Sequence, residues 1–308
     1  MVNNSGGRMN TVLRDIKVNR MIYIMVLPVV IWYIVFCYLP MYGSTIAFKD
    51  FKPGLGIMNS PWIGFDNFIE FFRDIYFQRI VTNTVLLSVY DILWGFPAPI
   101  ILALLLNEVR NRAFKSTVQT MTYLPYFVAT VVVCGIIIDF TSTNGIINQM
   151  LSYLGAEKHN LLADKNLFRT IYIASSVWQG TGWGSIIYLA ALANIDPQLY
   201  EASIIDGAGK WKQILHITLP GISSTIVILL ILRMGSIMNV GFEKIILLYN
   251  PLTYETADVI ATYVYRKGLI DFDYSYSSAI GLFNSVINLM FLLAANGISR
   301  KYSETSLW

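Results

Sequence analysis

Apolar residues gather in six long runs, at 21–39, 81–106, 117–138, 170–193, 222–240 and 275–298, separated by polar segments. A helix needs about 20 apolar residues to cross roughly 30 Å of hydrocarbon. Backbone groups in lipid must also bond within their own segment. The pattern therefore predicts an all-α membrane protein, with six transmembrane helices in a single domain covering 1–308. The polar segment between runs four and five has a pattern of its own. Asp196 suits a helix N-cap, and Pro197 suits the first helical position, where a missing N–H costs nothing. Gly207 tolerates the left-handed geometry that ends a helix. A helix of about ten residues, a turn at Gly207 and a second short helix (GKWKQILHI) follow, and Pro220 breaks the second helix just before run five. The segment 194–221 reads as an elbow lying along the membrane surface.

Composition agrees with the pattern. Of 308 residues, 55% are hydrophobic and 13% charged, with mean hydropathy +0.55, against about a quarter charged in soluble domains. The net charge of +3 is scattered among loops, which argues against a nucleic-acid surface. With both termini in the cytoplasm, 11 Lys and Arg fall in the short cytoplasmic segments and 10 in the longer external ones. Arg8, Arg14, Lys17 and Arg20 precede the first run, and Arg110, Arg112 and Lys115 lie between the second and third. The densities follow the positive-inside rule, which puts the N-terminal segment 1–20 and the elbow inside. The first run is too long for a signal peptide and has no cleavage site after it. Cys37 and Cys134 both lie within apolar runs and suggest small buried hydrophobes rather than a disulfide or zinc site.

The 20 residues 201–220, EASIIDGAGKWKQILHITLP, resemble the EAA loop of ABC importer permeases (ABC type I fold). Glu201, Ala202, Asp206, Gly207, Ala208, Ile214, Ile217, Leu219 and Pro220 match in register, and Ser203 replaces the second alanine. NTVLLSVYDILWGFPAPIILALLLNE, VWQGTGWGSIIYLAALANIDPQLYEASIIDGA and GFEKIILLYNPLTYETADVIATYVYR extend the likeness to carbohydrate-importer permeases of the maltose type. Within that family the LplB-like branch, associated with complex oligosaccharides and polysaccharide fragments, is the most similar. The large periplasmic insertion and extra N-terminal helices of the maltose permease are missing here. The resemblance implies a multi-pass protein of the bacterial plasma membrane. Its expected partners are a second, similar permease in a heterodimer, two ABC ATPase subunits and an extracytoplasmic solute-binding protein. It also implies that Glu201, Ala202, Ser203, Asp206, Gly207, Ala208, Leu219 and Pro220 couple the chain to the ATPase.

The chain offers no ATPase site of its own and does not look like an enzyme. A P-loop needs GxxxxGK[ST], but Trp211 follows Gly209-Lys210. ATP and magnesium are therefore expected on the partner ATPase, and no cofactor or metal on this chain. Ionisable residues inside spans are candidates for function because each costs about 2.5–3.5 kcal/mol at mid-membrane. Asp91 and Arg233 are the two, and counting from the ends of their runs places both about 15 Å deep. They are expected to pair or to face one wet cavity. Sugars need aromatic platforms together with amides and hydroxyls. Trp178, Gln179, Thr181 and Trp183 in the fourth run, Asn239 in the fifth, and Asn284 and Asn288 in the sixth supply them, with Trp94 in the second. Two other readings fit less well: a permease for another polar solute, and a secondary transporter, which would show internal repeats.

Overall fold

A computed structural model describes residues 15, 17–302, 306 and 307. Arg8 and Arg14, used in the charge argument, lie outside the described residues. Regular structure among the described residues is helical apart from one isolated bridge, Lys49 to Trp62. In chain order the principal helices are α1 (Arg20–Phe48), α2 (Asp66–Arg73), α3 (Phe77–Glu108), α4 (Arg112–Tyr123), α5 (Thr130–Thr141), α6 (Ile146–Tyr153), α7 (Lys165–Leu192), α8 (Pro197–Ile205), α9 (Lys210–Gly221), α10 (Ser223–Met234), α11 (Phe242–Leu248), α12 (Ile260–Tyr265) and α13 (Tyr274–Tyr302).

Four helical stretches are long and apolar enough to cross a membrane: α1, α3, Thr130–Tyr153 and α13. A fifth is added if α9 and α10, bent by 59° at Ile222, count as one. α7 has the length, at 28 residues, but its middle (SSVWQGTGWGS) lowers its hydropathy. Two predicted runs are not single helices. Pro125 ends α4, a short tight turn at Leu124–Phe127 follows, and helix resumes only at Thr130. The run 222–240 stays helical only to Met234, and 235–241 is irregular.

Three buried clusters hold these elements together. Ala103, Tyr188, Leu192 and Ile222 join α3 and α7 to the start of α10. Leu87, Val133, Phe168, Tyr172 and Ile245 join α3, α5, α7 and α11. Phe71, Ile80, Met238, Tyr263 and Ile280 join α2, α3, α12 and α13. Lipid is as apolar as a leucine side chain, so close approach rather than hydrophobic exclusion drives such packing. Gly182 shows the requirement, since a Cβ there would lie 2.0 Å from the Thr122 carbonyl oxygen of α4.

Three helices widen into a π-turn just ahead of a proline. Ile34–Tyr38 precedes Pro40, Asp91–Gly95 precedes Pro97, and Ile214–Thr218 precedes Pro220. Proline has no N–H for the carbonyl four residues back, and a widened turn re-pairs the freed carbonyls. In α3 the Phe96 N–H reaches back five residues to the Asp91 carbonyl, at 3.0 Å.

The segments joining α2 to α3 and α11 to α13 are tied down by buried charges. Asp258, fully buried, accepts from Arg79 at 3.0 Å and from Arg266 at 2.6 Å. Asn83 donates to the Asp258 carbonyl at 2.9 Å and accepts from Arg169 at 2.7 Å. Asp74 accepts from the phenols of Tyr263 and Tyr276. Burial pushes the Asp74 pKa up, but the two phenolic hydrogen bonds, together with the Tyr76 N–H and the nearby Lys267 charge, outweigh it and hold the carboxyl below its usual range.

Candidate functional site

The irregular segment 235–241 organises the intramembrane polar cluster. Non-helical backbone at membrane depth is tolerated only where protein or a wet cavity satisfies it. Three side chains do so here. Asn288 of α13 accepts from the Met238 N–H at 2.9 Å, the Tyr172 hydroxyl of α7 accepts from the Gly241 N–H at 3.1 Å, and Ser88 of α3 donates to the Ile237 carbonyl. Asn239 sits on this segment, and its side-chain oxygen accepts from Asn284 at 2.8 Å and from Asn288 at 3.1 Å. Asn288 is buried with both ends of its amide engaged, so its first job is to hold the break open.

Asp91 and Arg233 form an ion pair across the same region. The π-turn of α3 presents the Asp91 carboxylate, and Gly95 leaves it room: a Cβ at Gly95 would lie 2.7 Å from Asp91 Oδ1. Both members of the pair line two cavities. One, of about 50 Å³, is walled by Ser88, Tyr172, Asn239 and Gly241. The other, of about 290 Å³, is walled by Gly95, Ser176, Gly180 and Thr181. Half the Arg233 side chain stays exposed, so a guanidinium and a carboxylate are presented to open polar space.

The aromatic candidates divide. Trp183 stacks flat on Tyr126 at 4.8 Å with Phe127 edge-on at 5.5 Å, all three on the exposed surface where α4 breaks. Trp94 instead lines a separate, mainly apolar groove of about 830 Å³ between α3 and α7, with Tyr90, Ile101 and Arg169. Trp178 is exposed. Gln179 reaches the polar cluster through Lys244, whose ammonium lies 3.4 Å from its side-chain oxygen. Sequence reasoning missed Lys244, Ser88, Tyr172, Tyr126 and Phe127. Lys244 follows the glycine that ends the break, within GFEKII, and counts as a loop charge as long as the run is read as helix up to Val240.

At the other end of the molecule, residues 197–221 form two helices joined at Gly207. The Asp196 carboxylate caps α8 by accepting from the Gln198 N–H at 2.9 Å. Gly207 adopts φ +74°, and α8 closes with paired bonds, Gly207 N–H to the Ile204 carbonyl and Ala208 N–H to the Ser203 carbonyl. Ser203, which stands where the motif has a second alanine, is a clip. Its hydroxyl accepts from Gln213 of α9 at 3.0 Å and donates to the Tyr200 carbonyl at 2.7 Å. Tyr200 in turn bonds the Thr218 hydroxyl at 3.0 Å, and Lys210 pairs with Glu108 at the end of α3 at 2.9 Å. Glu201, Ala202, Asp206 and Pro220 are exposed, while Ala208 and Leu219 are half-buried. Among the described residues Glu201 has no partner. Ile205 and Trp211 are 86% and 78% exposed, so the elbow presents an acid flanked by apolar side chains.

A bundle with an irregular polar core and a rigid helical elbow at one end defines a membrane permease component. Residues 81–304 match the family described as binding-protein-dependent transport system inner membrane component, and the chain belongs to that family. It is 45% identical over 294 residues to protein LplB of Bacillus subtilis (strain 168), covering 95% of this chain and 92% of LplB. It is 43% identical over 288 residues to the polygalacturonan/rhamnogalacturonan transport system permease protein YteP of the same organism, covering 93% and 90%. Among solved structures it resembles a bacterial ABC transporter involved in import of the acidic polysaccharide alginate, with TM-score 0.88, 46% identity and coverage of 94% and 99%. The alginate transporter in complex with an alginate pentasaccharide-bound periplasmic protein matches with TM-score 0.89 and 45% identity. The likeness to carbohydrate-importer permeases read from the sequence stands.

Proposed function

We propose that the chain forms one half of the path through an ATP-driven, binding-protein-dependent importer of oligosaccharides. The observation that carries this reading is the elbow at 197–221, which is clipped from within yet leaves Glu201, Ile205 and Trp211 exposed among the described residues. A rigid element with an exposed acid and apolar rim fits docking to a soluble partner, where the carboxylate gains charge-assisted hydrogen bonds. That partner is an ABC ATPase subunit, which binds the ATP and magnesium. Closure of two ATPases moves two such elbows as rigid bodies and rocks the attached helices between inward- and outward-open states.

The count of six crossings rests on adding α7 and the α9–α10 pair to the four apolar stretches. α7 packs along α3 and faces polar cavities, so it has no need to be apolar on every side. Six crossings with the basic segments inside put both termini and the elbow in the cytoplasm. The polar cluster around Asp91, Arg233, Asn239 and Asn284 lies on the path, with Gln179, Thr181 and the Trp183 platform beside it. The cargo class is supported by the relative named for polygalacturonan/rhamnogalacturonan transport and by the solved transporter involved in alginate import. The second permease and the solute-binding protein complete the assembly.

The test is a reconstituted complex of this permease, its partner permease, the ATPase and the binding protein. Oligosaccharide-loaded binding protein is expected to stimulate ATP hydrolysis and uptake, and E201K combined with G207P is expected to abolish both. Uptake that survives the double substitution removes the elbow as the coupling element.

A further inference from the structure

Lys244 is a buried cation, only 6% exposed. Arg79, Arg266 and Arg233 are each partly exposed and each pairs with a carboxylate, Asp258 for the first two and Asp91 for the third. Among the described residues Lys244 pairs with no carboxylate. Its ammonium has two neutral partners at long distances, Ser176 Oγ at 3.2 Å and Gln179 Oε1 at 3.4 Å, and lies 5.8 Å from the Tyr172 ring. An ammonium carries three protons, so one is left without a hydrogen bond. Withdrawing a charge from water costs several kcal/mol unless an opposite charge compensates it, so this position is expensive as it stands.

The surroundings say where compensation comes from. Ser176 lines the 290 Å³ cavity and Tyr172 lines the 50 Å³ cavity, so two side chains beside the ammonium also border the cavities. Hydroxyls line both cavities, Ser88 and Tyr172 in the smaller and Ser176, Thr181 and Tyr188 in the larger, and the smaller adds the Asn239 amide. Asp91, the one carboxylate lining either cavity, is already held by Arg233. The Lys244 stem is a flexible four-carbon chain, and its ammonium contacts Ser176, which lines the 290 Å³ cavity. An acidic solute supplies the missing counter-ion, and a neutral sugar cannot.

We infer that Lys244 is the residue that selects for carboxylate-bearing sugars, its ammonium ion-pairing with a uronate carboxylate as the chain passes the Asp91–Arg233 cavity. This inference rests on the oligosaccharide-importer reading and adds the charge of the cargo and the residue that senses it.

The experiment measures binding of tetragalacturonate, and of the same tetramer with its carboxylates reduced to alcohols, to the detergent-solubilised permease–ATPase complex by calorimetry. K244Q removes the charge while keeping a donor for Ser176 and Gln179, so a purely structural role survives it; K244M removes both. Tetragalacturonate affinity is expected to fall at least tenfold in K244Q, with the neutral tetramer, where it binds, changing less than twofold. The thermal midpoint of the K244Q complex is expected to stay at the wild-type value. Unchanged tetragalacturonate affinity in K244Q, equal loss for both tetramers, or loss in K244M alone overturns the inference. If the wild-type complex binds neither tetramer, the oligosaccharide reading itself fails, which is a separate outcome.

Discussion

Asp91 and Arg233 show how much a pair of residues can disclose. Each alone is costly inside a membrane, and their matching depths were visible from spacing alone. The structure adds that they are in contact and that the pair opens onto polar cavities. Removing either leaves an uncompensated charge, at about 2.5–3.5 kcal/mol, so D91A and R233A are each expected to lower the yield of assembled complex several-fold. The exchange D91R/R233D is expected to recover assembly, as read by co-purification of the partner subunits, but not sugar uptake; full uptake in the exchange would make the pair structural only. Asp74 makes a different prediction, about pH. Its folded pKa is held below the ordinary value of 3.8, so its contribution is complete above that value and disappears as pH falls through the lower, folded one. D74N is expected to lower the thermal midpoint of the purified complex by a constant amount between about pH 5 and pH 8. The gap to wild type should close on acidification below pH 3.8. A gap that persists in strong acid would assign the loss to packing instead. Lys244 was hidden in the sequence for a plain reason: it looks like a loop charge unless one knows that α10 stops at Met234.

Helices and their breaks were legible to different degrees. The elbow could be read because each boundary uses a residue with a distinct local physics, namely Asp196, Pro197, Gly207 and Pro220. The break at 235–241 could not, because GSIMNVG is apolar enough to pass as helix and its stabilisers, Ser88, Tyr172 and Asn288, come from three distant parts of the chain. The same holds for Ser203, which reads as a small residue tolerated in an alanine's place. Its bond to Gln213 depends on a fold that brings residues ten apart into contact. Replacing it tests the clip. S203A, which removes only the hydroxyl, is expected to loosen α8 against α9 by about 1 kcal/mol, seen as faster amide exchange at the elbow and weaker ATPase retention. G207V forces a β-branched residue to φ +74°, at a cost of about 1–2 kcal/mol, and should reduce ATPase retention further.

The whole molecule is unevenly packed, and that unevenness concerns assembly. The first part of α1, from Arg20 to Met41, buries no residue among those described, whereas residues 42–48 pack against α13 and Phe51, just beyond, contacts Tyr274 and Ser275 at its start. A helix that is apolar all round and buries none of its side chains against the described residues is suited to lipid or to a neighbouring subunit. Deleting residues 1–41 is expected to leave the thermal unfolding of the remaining bundle within a few degrees while abolishing co-purification of the second permease. Retained pairing would place α1 in lipid. The fold class and the approximate positions of most helices were accessible from the hydrophobic pattern. Which helices lack intrachain partners was not, since a hydrophobic run looks the same whether it faces its own bundle, a neighbour or lipid.

The π-turns ahead of Pro40, Pro97 and Pro220 also act on direction. A helix turns its side chains by about 100° per residue, and a π-turn accommodates one residue more than the regular spiral around it. Removing a single residue from 92–95 would restore an ordinary helix in α3 and swing everything before it by that angle relative to everything after. Asp91 would then leave Arg233, while Pro99 kept its seat against Gly184. The widened turn is thus a phase shifter: it lets the first half of α3 aim a charge at Arg233 and the second half aim Pro99 at Gly184, two bearings that an unbroken spiral of this sequence cannot hold together.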